Sequence, residues 1–205
     1  MFVITADQRR STEHGDRVEQ ILAAIRDWSD AHRSDIVLDV ERTVGDEVQL
    51  VLASAGSAVD LGLMLMRARE WSVGIGTGEV DLPLGDSARA SSGEAFVHAR
   101  RAVERAKGKG EPAPIVVSGP DARGAEAATA LTQLLASVVR RRSDAGWEVA
   151  DLLDGERTQK DIAQALGISE QAVSQRIASA MIDEERRARP VAAMLLERAS
   201  GGIRP

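Results

Sequence analysis

Residues Thr158–Ala180 read TQKDIAQALGISEQAVSQRIASA, and this stretch decides how the C-terminal part folds. Thr158 is placed to cap a helix, because its hydroxyl can accept a backbone N–H that the first turn leaves free. Ile162, Ala163 and Leu166 then recur at helical spacing. Gly167 supplies the positive φ needed for a sharp turn. Ile168 plugs the corner and Ser169 caps a second helix, along which Ala172, Val173, Ile177 and Ala180 face inwards. A small side chain at Ala163 suits two helices that cross closely. The stretch therefore predicts two short helices joined by a tight turn.

On the second helix, 100° per residue puts Gln171, Gln175 and Ala178 opposite the Val173/Ile177 stripe. Ser174 and Ser179 flank that face and Arg176 lies to one side. Gln pairs with adenine edges, and Arg with guanine or phosphate. The pattern resembles the helix-turn-helix of sigma-factor region 4 and of response-regulator output domains. The resemblance implies double-stranded DNA as partner. Gln171, Ser174 and Gln175 would read base edges, Arg176 and Lys160 would touch phosphates, and Ser169 would cap the helix end nearest the DNA backbone. The competing reading is an ordinary helical hairpin packed on a neighbouring domain. Residues 152–205 carry as many acids as bases, so a single copy attracts DNA weakly. A homodimer is expected for that reason.

Upstream, the pattern changes. Phe2–Ala6 reads as a strand, and Asp16–Ser29 as a helix with Val18, Ile21, Leu22, Ile25 and Trp28 on one stripe. Asp35–Arg42 and Val48–Leu52 are strand-like, with a tight Gly45-Asp46 hairpin between them. Ala58–Glu70 reads as a helix, Trp71–Ile75 as a strand, Asp81–Ser92 as a loop, Glu94–Lys107 as a helix and Ile115–Val117 as a short strand. The order to residue 120 is β-α-β-β-α-β-α-β. Ala122–Arg142 reads as a long helix. Gly74, Gly76 and Gly78 fall at alternate positions. Without a following GK[ST] they are no phosphate loop, and a strand approached closely by another backbone accounts for them. The run Asp183–Arg189 reads as a solvated helical face with i,i+4 ion pairs, Glu185–Arg189 among them.

Composition removes several classes of function. The 205 residues include no Cys, so disulfides, thiolate-bound metals and a thiol nucleophile are excluded. His14, His32 and His98 are too scattered for a histidine-based zinc site, and a Ser-His-Asp triad is not expected. With 2% aromatic residues, a stacking platform for single strands is not expected either. No stretch reaches the roughly 18 apolar residues of a membrane span, and the N-terminus lacks the features of a signal peptide. No membrane partner and a cytoplasmic location are expected. The net charge of −6 argues against a protein coated in phosphate-binding charge.

Acidic residues supply the other candidate site. Asp7 ends the first strand and Asp46 sits in the hairpin, so a β-α-β-β core brings them close. Two carboxylates at strand ends can hold Mg²⁺ and, through it, the phosphates of a nucleotide or dinucleotide. Glu47 and Gly76 are candidate ligand contacts beside them. The bland reading makes Asp46 a turn residue. Asp7, Gly45-Asp46-Glu47 and Val73–Val80 together resemble the core of class III nucleotidyl cyclases. In that family a first-strand Asp and a hairpin Asp carry two metals. The chain has Gln8-Arg9-Arg10-Ser11 where the family is aromatic and acidic, and no counterpart of the family's Asn-x-x-x-Arg. The resemblance therefore implies binding with little or no turnover, and no catalytic residue is assigned. Over nearly the whole chain, ITADQRRS, ERTVGDEVQ, WSVGIGTGEV, GEAFVHARRAVERAK, GWEVADLLDG and the terminal helix pair, in this order, resemble the bacterial SatD family.

The expected fold is α+β. A ferredoxin-like, cyclase-like domain spans residues 1–120, a connecting helix and turn 121–150, and an all-α helix-turn-helix domain 151–205. The expected function is a DNA-binding transcriptional regulator whose first domain senses a ligand or dimerises. The alternative is a Mg²⁺-dependent nucleotidyl cyclase or transferase acting through Asp7 and Asp46.

Overall fold

A computed structural model describes residues 1–9, 15–155 and 157–201. Arg10, Ser11, His14 and the tail after Gly201 lie outside the described residues. Five strands and eight helices are used below: β1 (Phe2–Gln8), α1 (Val18–Ala31), β2 (Ile36–Arg42), β3 (Glu47–Leu52), α2 (Ala55–Arg67), β4 (Trp71–Thr77), α3 (Glu94–Lys107), β5 (Ile115–Ser118), α4 (Ala122–Arg141), α5 (Asp144–Asp154), α6 (Gln159–Leu166), α7 (Glu170–Ser179) and α8 (Ile182–Ala199). Among the described residues, the order to residue 120 is the expected one, so the chain mixes helix and sheet as its periodicities predict.

The strands form one sheet in the order β2-β3-β1-β4-β5. The first four are antiparallel to their neighbours, and β5 runs parallel to β4. Side chains alternate across the sheet. Phe2, Ile4, Leu50, Leu52, Val73, Ile75, Ile115 and Val117 point to one face, where α1, α2, α4 and α8 cover them in a single apolar core. α1 contributes Val18, Ile21, Leu22 and Ile25, the stripe read from the sequence. α4 packs on β5, and α8 returns to pack on α4 and α2. Ala128, Leu135, Ala192 and Leu196 thus belong to the core of the sheet.

α3 lies across the opposite face, over β1, β4 and β5, and the short turn Ala88–Ala90 covers β2 and β3 beside it. Its side towards the sheet is a row of alanines, Ala95, Ala99, Ala102 and Ala106, all buried. Small residues on the helix meet glycines on β4. A Cβ at Gly74 would fall 2.3 Å from the Val103 amide nitrogen, and one at Gly76 would fall 2.1 Å from that of Ala99. The alternating glycines therefore serve the close backbone approach expected of them. Gly76, also read as a candidate ligand contact, is buried beneath α3.

Candidate nucleic-acid interface

The two-helix motif forms as read. Thr158 Oγ1 accepts from Asp161 N at 3.2 Å, and Asp161 Oδ2 accepts from Thr158 N at 3.0 Å. This is a reciprocal capping box, and the Asp161 half is a contact that the composition of the motif announces: Thr-x-x-Asp before an apolar run is its signature. Gly167 takes the left-handed conformation at φ 65 and ends α6, and Ile168 N donates to Ala163 O at 3.0 Å. Ser169 Oγ then accepts from Ala172 N at 3.1 Å and starts α7. Ile162, Ala163, Val173, Ile177 and Ala180 share a core with Val149 and Ala150 of α5 and Ile182 of α8.

That core leaves one side of α7 free. Gln171, Ser174, Gln175 and Ala178 are exposed, as are Ser169 at the helix start and Lys160 on α6. Arg176 is half-buried. Its Nη1 donates to Glu148 Oε2 on α5 at 2.9 Å, a partner that sequence spacing gave no means to find. Glu148 is 55% exposed, so water weakens this pair and the arginine can exchange it for another anion.

Charged side chains tie the C-terminal helices to α2 and to the end of α4. Arg67 of α2 is bidentate to Asp151 of α5, at 2.6 and 2.8 Å, and its guanidinium lies 3.9 Å over the Trp147 ring. Arg142 stacks on the same ring at 4.4 Å. Arg142 Nε donates to the Ala180 carbonyl that caps α7, at 3.2 Å, and its Nη2 lies 3.5 Å from Glu185. Glu185 is buried, and also accepts from Arg189, which reaches Asp60 of α2 at 3.0 Å. Burial opposes the charge on Arg189, but Glu185 and Asp60 outweigh it and raise its guanidinium above the ordinary value. The run Asp183–Arg189 is therefore a solvated face only in part. The expected Glu185–Arg189 pair forms, but with its acid inside the protein.

The acidic residues gather at the far end of β1. Asp7 pairs across the sheet with Glu47 on β3 and Ser72 on β4. Asp46 lies in the adjoining turn, where its carbonyl accepts from Gln8 N at 3.1 Å. Burial pushes the Asp7 carboxyl up, repulsion from Asp46 and Glu47 adds to that, and Lys107 pulls it down. Lys107 Nζ stands 2.8 Å from Asp7 Oδ2 and 2.9 Å from Glu104. Glu47 accepts from Arg100 Nη1 at 2.9 Å and from Thr43 Oγ1 at 2.7 Å. Among the described residues, no group of three or more acids or histidines is arranged to hold a metal ion.

Residues 130–181 match the model of the family Sigma-70, region 4. The match begins within α4, takes in α5, α6 and α7, and ends at Met181 between α7 and α8. It covers the capped helix pair and the helix beneath it, so the C-terminal helices are similar to a DNA-binding helix-turn-helix of transcription proteins. No curated protein and no solved structure matches the chain. Among the described residues, no helix is long and apolar enough to cross a membrane.

Proposed function

We propose that the protein is a DNA-binding transcriptional regulator that acts as a homodimer. The observation that carries this reading is the exposed polar face of α7, set by caps at both ends of the turn and lying inside the region-4 match. Gln171, Ser174 and Gln175 read base edges in the major groove, and Lys160 and Arg176 contact phosphates. Ser169 turns the positive end of α7 towards the DNA backbone. The sheet part has the role of a ferredoxin-like, cyclase-like unit that senses a ligand or joins two copies. The strand order β2-β3-β1-β4 with antiparallel neighbours supports that likeness. Two copies then meet paired half-sites about one helical turn apart, roughly 34–36 Å.

Selection of genomic fragments with the purified protein tests the reading and supplies a site. On that site, Gln175→Ala weakens binding by about 1–3 kcal/mol and leaves random DNA almost unaffected. Arg176→Ala weakens both alike and lowers the salt slope by about one unit. Gel retardation at several salt concentrations separates the two patterns. If neither substitution changes retention while circular dichroism stays that of the parent, α7 is not a recognition helix.

A further inference from the structure

The likeness to a metal-binding cyclase core makes a test of fit necessary at Asp7 and Asp46, and the residues present do not fit. Asp7, whose side chain is 18% exposed, already has an ammonium at 2.8 Å. Glu47, 8% exposed, already has a guanidinium at 2.9 Å and a hydroxyl at 2.7 Å. Both cations come from one helix: Arg100 and Lys107 are seven residues apart, two turns along α3 and on one side of it. Their reach depends on the glycines of β4. Because Gly74 and Gly76 let the backbone of α3 close onto the strand, the last turn of α3 arrives beside the end of β1. That last turn also favours a cation in its own right, because its free carbonyls give it negative character. The α3 backbone, its dipole and the carboxylates of Asp7 and Glu104 therefore act on one position, and Lys107 fills it.

We propose that Lys107 is the built-in cation of this acidic end, and that it stands in place of a divalent ion. The chain folds with Asp7 and Glu47 already paired, with Lys107 and Arg100 of α3. α3 is then an ionic clasp on the sheet as well as an apolar one. The acidic end opens to a divalent cation only when the ammonium is removed, since Asp7 then loses its counter-ion while the repulsion from Asp46 and Glu47 still acts on it.

The experiment uses the full chain. Electron paramagnetic resonance of added Mn²⁺ measures bound ion directly, and thermal unfolding is followed with EDTA, Mg²⁺ or Mn²⁺. The parent protein is expected to bind no Mn²⁺ and to unfold at the same temperature in all three. Lys107→Met keeps the aliphatic stem and removes the charge. It is expected to unfold a few degrees lower in EDTA, to recover part of that loss with Mn²⁺, and to show a bound-Mn²⁺ signal that Asp7→Asn removes. Lys107→Arg keeps the charge and is expected to stay indifferent to metal. A parent protein that binds one Mn²⁺ through Asp7 overturns the proposal. So does a Lys107→Met variant as stable as the parent in EDTA. Should that variant fail to fold, the Mn²⁺ measurements on the parent and on Lys107→Arg still decide.

Discussion

Gly76→Val is expected to lower stability by about 3 kcal/mol or more, near or above the usual upper end for inserting atoms into a packed interior. The reason is what the new atoms meet. A Cβ at this position lies 2.1 Å from the Ala99 amide nitrogen, 2.2 Å from the Ala95 carbonyl oxygen and 2.6 Å from the Ala99 Cα. All three belong to a helix backbone, so no rotamer change relieves the overlap, and α3 must move away from β4 as a body. That movement uncovers Ala95, Ala99 and Ala102 and draws Lys107 away from Asp7. Two effects should therefore appear together in a urea titration followed by tryptophan fluorescence. The midpoint falls, and with EDTA removed the variant gains the Mn²⁺ response expected of Lys107→Met. Gly110→Ala is the control, because a Cβ there meets nothing within 4 Å and surface changes of this kind stay within about 0.5 kcal/mol. A Gly76→Val midpoint equal to the parent's contradicts the close approach of α3 to the sheet.

Which features were legible in the sequence follows from how far apart their parts lie. The helix-turn-helix was readable residue by residue because its caps, glycine and apolar contacts sit within 23 consecutive positions. The eight elements before residue 120 were readable because apolar spacing switches between the strand and helix periods. The strand glycines announced a close backbone, though not which helix supplies it. The nearness of Asp7 and Asp46 followed from hairpin topology. The counter-ion of Asp7 did not, since Lys107 lies a hundred residues away and reads as the frayed end of a helix. The packing of α8 onto α4 and α2 was equally hidden. A run such as DEERRAR has the composition of a solvated face, and only the approach of Arg142, from the end of another helix, shows that one of its acids is inside.

Glu185→Ala is expected to cost about 3–5 kcal/mol, the penalty for breaking a buried ion pair by removing one partner. The Glu185 side chain is 1% exposed and that of Arg142 2%, so water cannot replace the lost carboxylate. Arg142 would keep its bond to the Ala180 carbonyl and its place over Trp147, but its charge would have no partner within the protein. Glu185→Gln separates charge from shape: it keeps the side chain's volume and one acceptor, and should still lose most of the stability. Replacing both partners, Arg142→Met with Glu185→Leu, should recover part of it, because an apolar pair of similar volume removes the stranded charge. The loss is not spread evenly. Ala180 is the C-cap of α7, and Met181 beside it holds a left-handed φ of 52 at the corner into α8. Hydrogen exchange should therefore quicken first at residues 176–182 and much later in β1 and β4. Under the DNA-binding reading, Glu185→Ala weakens binding to specific and random DNA together, since it loosens the whole recognition helix and not one base contact. A cost below about 1 kcal/mol in Glu185→Ala, with exchange at residues 176–182 unchanged, would show that this pair does not hold the corner.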